Sequence, residues 1–266
     1  MTMSDKPIIG KNAPPAIQAR YSGSHLSWWP VILFLPARLV FAFLAQGLVA
    51  GLFAFQGSND AWHAAAAWWP VYSTVTDLLT LLALVLLTRR EGLTLLDLIG
   101  VKGKEALKQL AWTPAYLLAV APAAALASVI TRVFYGSDLP PMITVVDLPP
   151  IGVWYSIIVW PVIWVIAEEL MYLGYLLPRI EALSGKTWLA VLVVIFFWGL
   201  QHLAIPFIAD GTYLFSRVLA AFAATGGMTL VFVLWRRRLI PLIGVHYIAD
   251  LSTAILTVLP SLQNGG

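Results

Sequence analysis

The chain has 266 residues, of which 60% are hydrophobic and only 11% charged, with 12 tryptophans and a positive mean hydropathy. No soluble domain of this size has such a composition, so the chain reads as a polytopic membrane protein. Its formal charge of +3 sits in short loops between apolar runs, which excludes nucleic acid as a partner, and the absence of Cys excludes disulfides, a thiol nucleophile and a thiolate metal site.

Residues 1–27 are polar and read as a cytoplasmic N-terminal segment. The first apolar run, Trp28 to Phe55, is longer than the core of a signal peptide, which is about 7 to 15 residues, and reads as a retained span. Windows of about 20 apolar residues draw seven spans: 28–55, 67–88, 112–135, 152–178, 187–209, 212–235 and 239–260. The expected fold is all-α, a polytopic membrane helical bundle of about seven transmembrane helices. Residues 28–111 supply two N-terminal helices and a basic cytoplasmic loop, and 112–260 form the core bundle that carries the site. Spans five and six are joined by a tight reversal at Ala209 to Thr212, and no internal repeat is visible.

Orientation follows from the cations. With the N-terminus cytoplasmic, the inside segments hold Lys6, Lys11, Arg20, Arg89, Arg90, Lys102, Lys104, Lys108, Arg179, Lys186, Arg236, Arg237 and Arg238, which is 13 of the 16 basic residues. Asp60, Asp138, Asp147 and Asp210 fall on the other side, and the C-terminus lies outside. The expected location is the plasma (inner) membrane of a prokaryote. Residues 89–109 mix leucines with charges, as a segment lying at the interface does, whereas the Pro-rich outer loop 136–151 reads as irregular. Trp28-Trp29 and Trp68-Trp69 suit interfacial anchors. His25 and His63 lie outside the membrane core, and Asp77, Arg38 and Arg217 read as ion-pair candidates.

Ionisable groups in membrane helices are costly and call for a function. Glu168, Glu169, His202, His246 and Asp250 fall on spans four, five and seven, each within about one turn of the span's midpoint. His246 and Asp250, at i and i+4, share one helix face, while Glu168 and Glu169 diverge by about 100°. A buried carboxylate beside imidazoles suits activation of water, with Glu as proton acceptor, His orienting the water and further polar groups steadying an oxyanion. The same residue types, two His with carboxylates, suit a divalent metal such as zinc, and spacing alone does not separate these mechanisms. There is no His-Glu-x-x-His and no Gly-x-Ser-x-Gly, and Ser252 is the only Ser near these His residues in sequence, so the zinc-helix and serine mechanisms lack their motifs.

Taken in order, Glu168-Glu169-Leu-Met-Tyr-Leu173, Trp198-Gly-Leu-Gln-His202 and His246-Tyr-Ile-Ala-Asp250 resemble the three motifs of the CPBP (CAAX-processing and bacteriocin-processing, ABI) intramembrane endopeptidases, written Glu-Glu-x-x-x-Arg, Phe-x-x-x-His and His-x-x-x-Asn/Asp. The resemblance covers roughly 112–260. It implies Glu168 as general base, His202 holding the attacking water, His246 and Asp250 stabilising the tetrahedral intermediate or orienting the substrate carbonyl, and Glu169 in support. The implied partners are a peptide or protein substrate, lipid-modified or membrane-associated, and the bilayer. The preferred mechanism requires no cofactor; a bound metal would take Glu168, His202 and His246.

Leu173 departs from the motif, whose Arg at i+4 would neutralise Glu169. Arg38 or Arg217 could supply that cation, with Asp77 competing for it. Trp198 keeps an aromatic one turn from His202. Two rival readings stand beside the protease: a proton-coupled transporter, and a catalytically impaired CPBP-like scaffold or immunity protein.

Overall fold

The structure, a computed structural model, describes residues 10–23, 26–144 and 148–264, and every regular element in them is helical. Lys6, His25 and Asp147, named above, lie outside the described residues. Helix α1 (Pro14–Ser22) precedes the first apolar run, which Pro36 divides into α2 (Trp28–Phe34) and α3 (Ala37–Phe55) because proline has no amide hydrogen to continue the ladder. A short helix α4 (Ala61–Ala66), capped by the Asp60 carboxylate, leads into α5 (Trp69–Arg90). Residues 89–109 contribute two short helices, α6 (Leu95–Ile99) and α7 (Gly103–Leu110). Leu93 and Leu98 there face inward, while Leu96 and Leu107 remain exposed, as in an interfacial segment.

Helix α8 (Thr113–Tyr135) ends at Gly136, whose φ of +68° reverses the chain, and the outer loop that follows has one helical turn, α9 (Pro141–Thr144). Then α10 (Pro150–Ile158), α11 (Trp160–Glu169), a π-helical turn over Leu170–Leu176 and α12 (Leu177–Ser184) run as one long rod. After it come α13 (Thr187–Leu200), a 3₁₀ turn at Gln201–Leu203, α14 (Gly211–Leu234), α15 (Leu239–Val258) and α16 (Ser261–Asn264).

Among the described residues six helical stretches are long and apolar enough to cross a membrane. The expected span 187–209 is shorter than the hydropathy window: helix continues only from Thr187 to Leu203, about 25 Å at 1.5 Å per residue. From Ala204 the backbone leaves the helix, and Pro206 could not have extended it. The expected polytopic bundle of about seven helices stands, as six full-length helices and one shorter one among the described residues, and the correction is to the length of the fifth. A second correction concerns Trp69, which is 3% exposed and packs edge-on against Trp160 at 4.8 Å instead of anchoring at the interface.

Small residues set the helix spacing. A Cβ on Gly227 of α14 would lie 2.2 Å from the Ala123 Cβ of α8, and one on Gly199 of α13 would lie 2.1 Å from the Phe222 ring. At one end of the bundle the basic segments converge. Arg179 makes two 2.8 Å bonds to Glu91, stacks on the Tyr175 ring at 3.9 Å and donates to Asn12 Oδ1. Arg20 approaches Glu91 at 3.4 Å, Arg237 pairs with Glu181, and Asn12 donates to the Gly174 carbonyl at 2.9 Å within the π-helical turn.

Candidate active site

Glu168 and Glu169 end α11, immediately before the π-helical turn, and both are fully buried. A carboxylate in that position must find donors, and Glu168 has three. Oε1 accepts from Arg38 Nη2 at 3.0 Å and from Gln201 Nε2 at 2.6 Å, and Oε2 accepts from the Trp198 indole N–H at 2.6 Å. Arg38 comes from the first turn of α3, just beyond the Pro36 break. It also donates from Nη1 to Asp77 on α5 at 2.7 Å and from Nε to Gln201 Oε1 at 2.8 Å, and its guanidinium lies 4.8 Å from the Trp164 ring centroid. Gln201 Oε1 takes a second bond from the Tyr172 hydroxyl at 3.1 Å, which fixes the amide with its NH₂ toward Glu168. Tyr172 and Trp198 in turn stack with centroids 5.2 Å apart and planes 11° from parallel.

The second half of the site centres on His246 of α15. Its Nδ1 lies 3.1 Å from Glu169 Oε1, and its Nε2 lies 3.5 Å from Asp250 Oδ2 and 3.8 Å from Glu168 Oε2. The i, i+4 spacing of His246 and Asp250 thus brings the two groups together as the helix period requires. Among the described residues, Glu169 Oε2 and Asp250 Oδ2 are buried oxygens without a hydrogen-bond partner.

His202 occupies the 3₁₀ turn after α13. Its Nδ1 lies 3.0 Å from the Trp198 carbonyl, and because a carbonyl only accepts, Nδ1 carries the hydrogen, which in the neutral ring leaves Nε2 its lone pair. The non-helical stretch that follows is pinned by Gln46 of α3: Phe207 N–H donates to Gln46 Oε1 at 2.8 Å, and Gln46 Nε2 donates to the Phe207 carbonyl at 2.9 Å. Tyr72 adds a bond to Gln46 Oε1 at 3.0 Å, and Trp62 one to the Phe207 carbonyl at 3.1 Å. These partners supply what lipid would not.

All five residues singled out in the sequence therefore lie in one region. Glu168, Glu169, His246 and Asp250 are within ion-pairing distance of one another through His246, and His202 is within electrostatic reach of Glu168 and His246. The expected cation for Glu169 is corrected. Arg38 goes to Asp77 and Glu168, Arg217 donates to the Ile205 carbonyl at 3.3 Å, and the partner of Glu169 is His246. Asp77 does compete for Arg38. Sequence reasoning missed Gln201, Tyr172 and Gln46, and it read Trp198 only as an aromatic surface. The two glutamines left only a faint signal, each an amide within an apolar run that barely disturbs its hydropathy.

For a metal the fit is poor. Among the described residues no group of three or more His, Asp or Glu side chains is arranged to hold an ion. In the set Glu168, His202 and His246, three acceptor positions of Glu168 are filled by protein donors, and each ring nitrogen of His246 faces a carboxylate.

Residues 150–252 match the family model described as type II CAAX prenyl endopeptidase Rce1-like. Over this stretch, which is less than half of the chain, the sequence is similar to the CPBP/CAAX protease family. The Rce1-like stretch begins with α10, contains all five residues above and ends within α15; Arg38, Gln46, Asp77 and Asn12 lie before it. No curated protein and no solved structure matches the chain. Similarity to the Rce1-like family supports a CAAX-type intramembrane protease in general terms, and the long apolar helices suit a multi-pass membrane protein.

Proposed function

We propose that the chain hydrolyses a peptide bond of a membrane-associated or lipid-modified peptide, with Glu168 as the base that activates water and without a metal. One observation carries this reading. Three of the roughly four acceptor positions of the Glu168 carboxylate are occupied, and the one left open on Oε2 is near His246 Nε2, 3.8 Å away. A water at about 2.8 Å from each of two atoms at that separation fits between them.

In this mechanism Glu168 takes a proton from the water as its oxygen attacks the scissile carbonyl. His202, through the lone pair on Nε2, holds the other hydrogen of the same water. An imidazolium donates from both nitrogens, and His246 has carboxylate oxygens at each, so it can keep one N–H on Glu169 while the other turns to the tetrahedral oxyanion; Asp250 orients that side of the ring. Glu168 then returns the proton to the leaving amine as the carbon–nitrogen bond breaks. The gathering of basic segments at one end of the bundle supports an N-terminus in the cytoplasm and a C-terminus outside.

Replacing Glu168 with Gln removes the base while keeping a side chain of the same size, and cleavage falls by at least about 100-fold. Comparative peptidomics of cells carrying the wild-type protein and the Glu168→Gln variant reads this as peptides that accumulate in one and not the other. Full activity in the variant sinks the mechanism. For the wild-type protein purified in detergent, activity that survives a chelator supports the metal-free reading, and loss of activity restored by zinc overturns it.

A further inference from the structure

Two ion pairs of this protein use arginine differently. Arg179 at the end of the bundle gives Glu91 the two-pronged fork of a structural pair, both bonds at 2.8 Å. Arg38 spreads its nitrogens over three residues: Nη1 to Asp77 at 2.7 Å, Nη2 to Glu168 at 3.0 Å and Nε to Gln201 at 2.8 Å. Asp77 uses only one oxygen in this, and its Oδ2 has no hydrogen-bond partner. Two of the three donations thus go to the Glu168–Gln201 unit, and Gln201 returns a bond to the same Glu168 Oε1 at 2.6 Å. Arg38 is fully buried, with its guanidinium held against the Trp164 ring.

We propose that Arg38 is a positioning residue of the active site, and that helices α3 and α5, which lie outside the Rce1-like stretch, are a working part of the proteolytic machinery. Arg38 acts in two ways, directly on Glu168 and through the amide of Gln201, and both put donors on Oε1. With Trp198 on Oε2, the carboxylate is locked so that its one open lone pair is the one beside His246. Asp77 is the counterweight that keeps the guanidinium in place. This rests on the reading of Glu168 as the base, and it makes the cation that supports catalysis a gift of the N-terminal helices instead of the motif helix, where Leu173 stands.

The test separates position from stability. The double variant Arg38→Met/Asp77→Leu removes Asp77 together with its cation but also takes the cation from Glu168, so kcat is read per folded molecule, with unfolding in detergent measured alongside. If Arg38 only braces the fold, the folded fraction of the variant cleaves at the wild-type rate. If Arg38 positions Glu168, kcat on a quenched fluorescent farnesylated CAAX peptide stays down by about 100-fold with KM unchanged. Arg38→Lys keeps the charge but cannot reach three acceptors with a fork, and its kcat falls while its melting temperature holds. The Glu168 carboxylate stretch, isolated as the infrared difference between wild type and Glu168→Gln, shifts in both Arg38 variants without any substrate present. A kcat within about threefold of wild type in either variant, or an unmoved carboxylate band, overturns the proposal. If instead Glu168→Gln proves fully active, the base assignment fails, and the infrared result still reports on Arg38 by itself.

Discussion

At the scale of single residues, Leu173 is the point where sequence and structure part most instructively. The motif comparison makes it the place where a cation is missing, and the natural expectation is that an Arg there would improve the site. Leu173 is instead fully buried and lines a narrow cavity of about 40 Å³ together with Asn12, Leu98, Phe232 and Leu239 among others. Leu173→Arg therefore places an uncompensated charge in an apolar pocket too small for it, costs about 3–5 kcal/mol of stability and brings no gain in cleavage. Thermal unfolding in detergent, with peptide hydrolysis alongside, checks both halves. The charged members of the site were legible because a charge in lipid is too expensive to be idle. Gln201 and Gln46 were not, because an amide barely disturbs hydropathy and their value lies in partners such as Arg38 and Phe207, 163 and 161 residues away in the chain.

At the scale of elements, hydropathy located the apolar runs but not the points where the helix changes character. Leu170–Leu176 reads like any apolar helix, yet its turns are π-helical, and the i, i+4 rule used to place residue 173 over Glu169 belongs to the α-helix, whereas a π-helix repeats at i+5. The end of α13 was missed for a similar reason: Ala204 to Ala209 is apolar enough to extend a span, although Pro206 breaks the helix there and Gln46 and Trp62 take up the Phe207 carbonyl. Close packing is equally silent in composition. Gly227 permits α14 to approach α8 as no other residue could, so Gly227→Ala pushes the Ala123 side apart and costs about 1–3 kcal/mol, read as a lower melting temperature with little change in KM.

At the scale of the whole molecule, the count of cations by loop anticipated a physical assembly. The segments assigned to one side by charge are tied by two sets of ion pairs, Arg20–Glu91–Arg179 and Arg237–Glu181. Glu91 is the centre of the first, and Glu91→Ala leaves Arg179, with no exposed surface, without its carboxylate. A loss of about 3–5 kcal/mol follows, measurable by unfolding in detergent, with the residual protein still cleaving at the wild-type rate per folded molecule. Composition could not indicate that the site borrows from α3 and α5, since helices far apart in sequence carry no mutual signature. The clamp of Gln46 on the Phe207 backbone also inverts an ordinary rule of membrane engineering. Exchanging that glutamine for leucine would make the first span greasier and easier to insert, yet it would strip Phe207 of a side chain that meets both its N–H and its carbonyl as a neighbouring strand would. In this protein a more lipid-loving sequence would be a worse fit to the lipid.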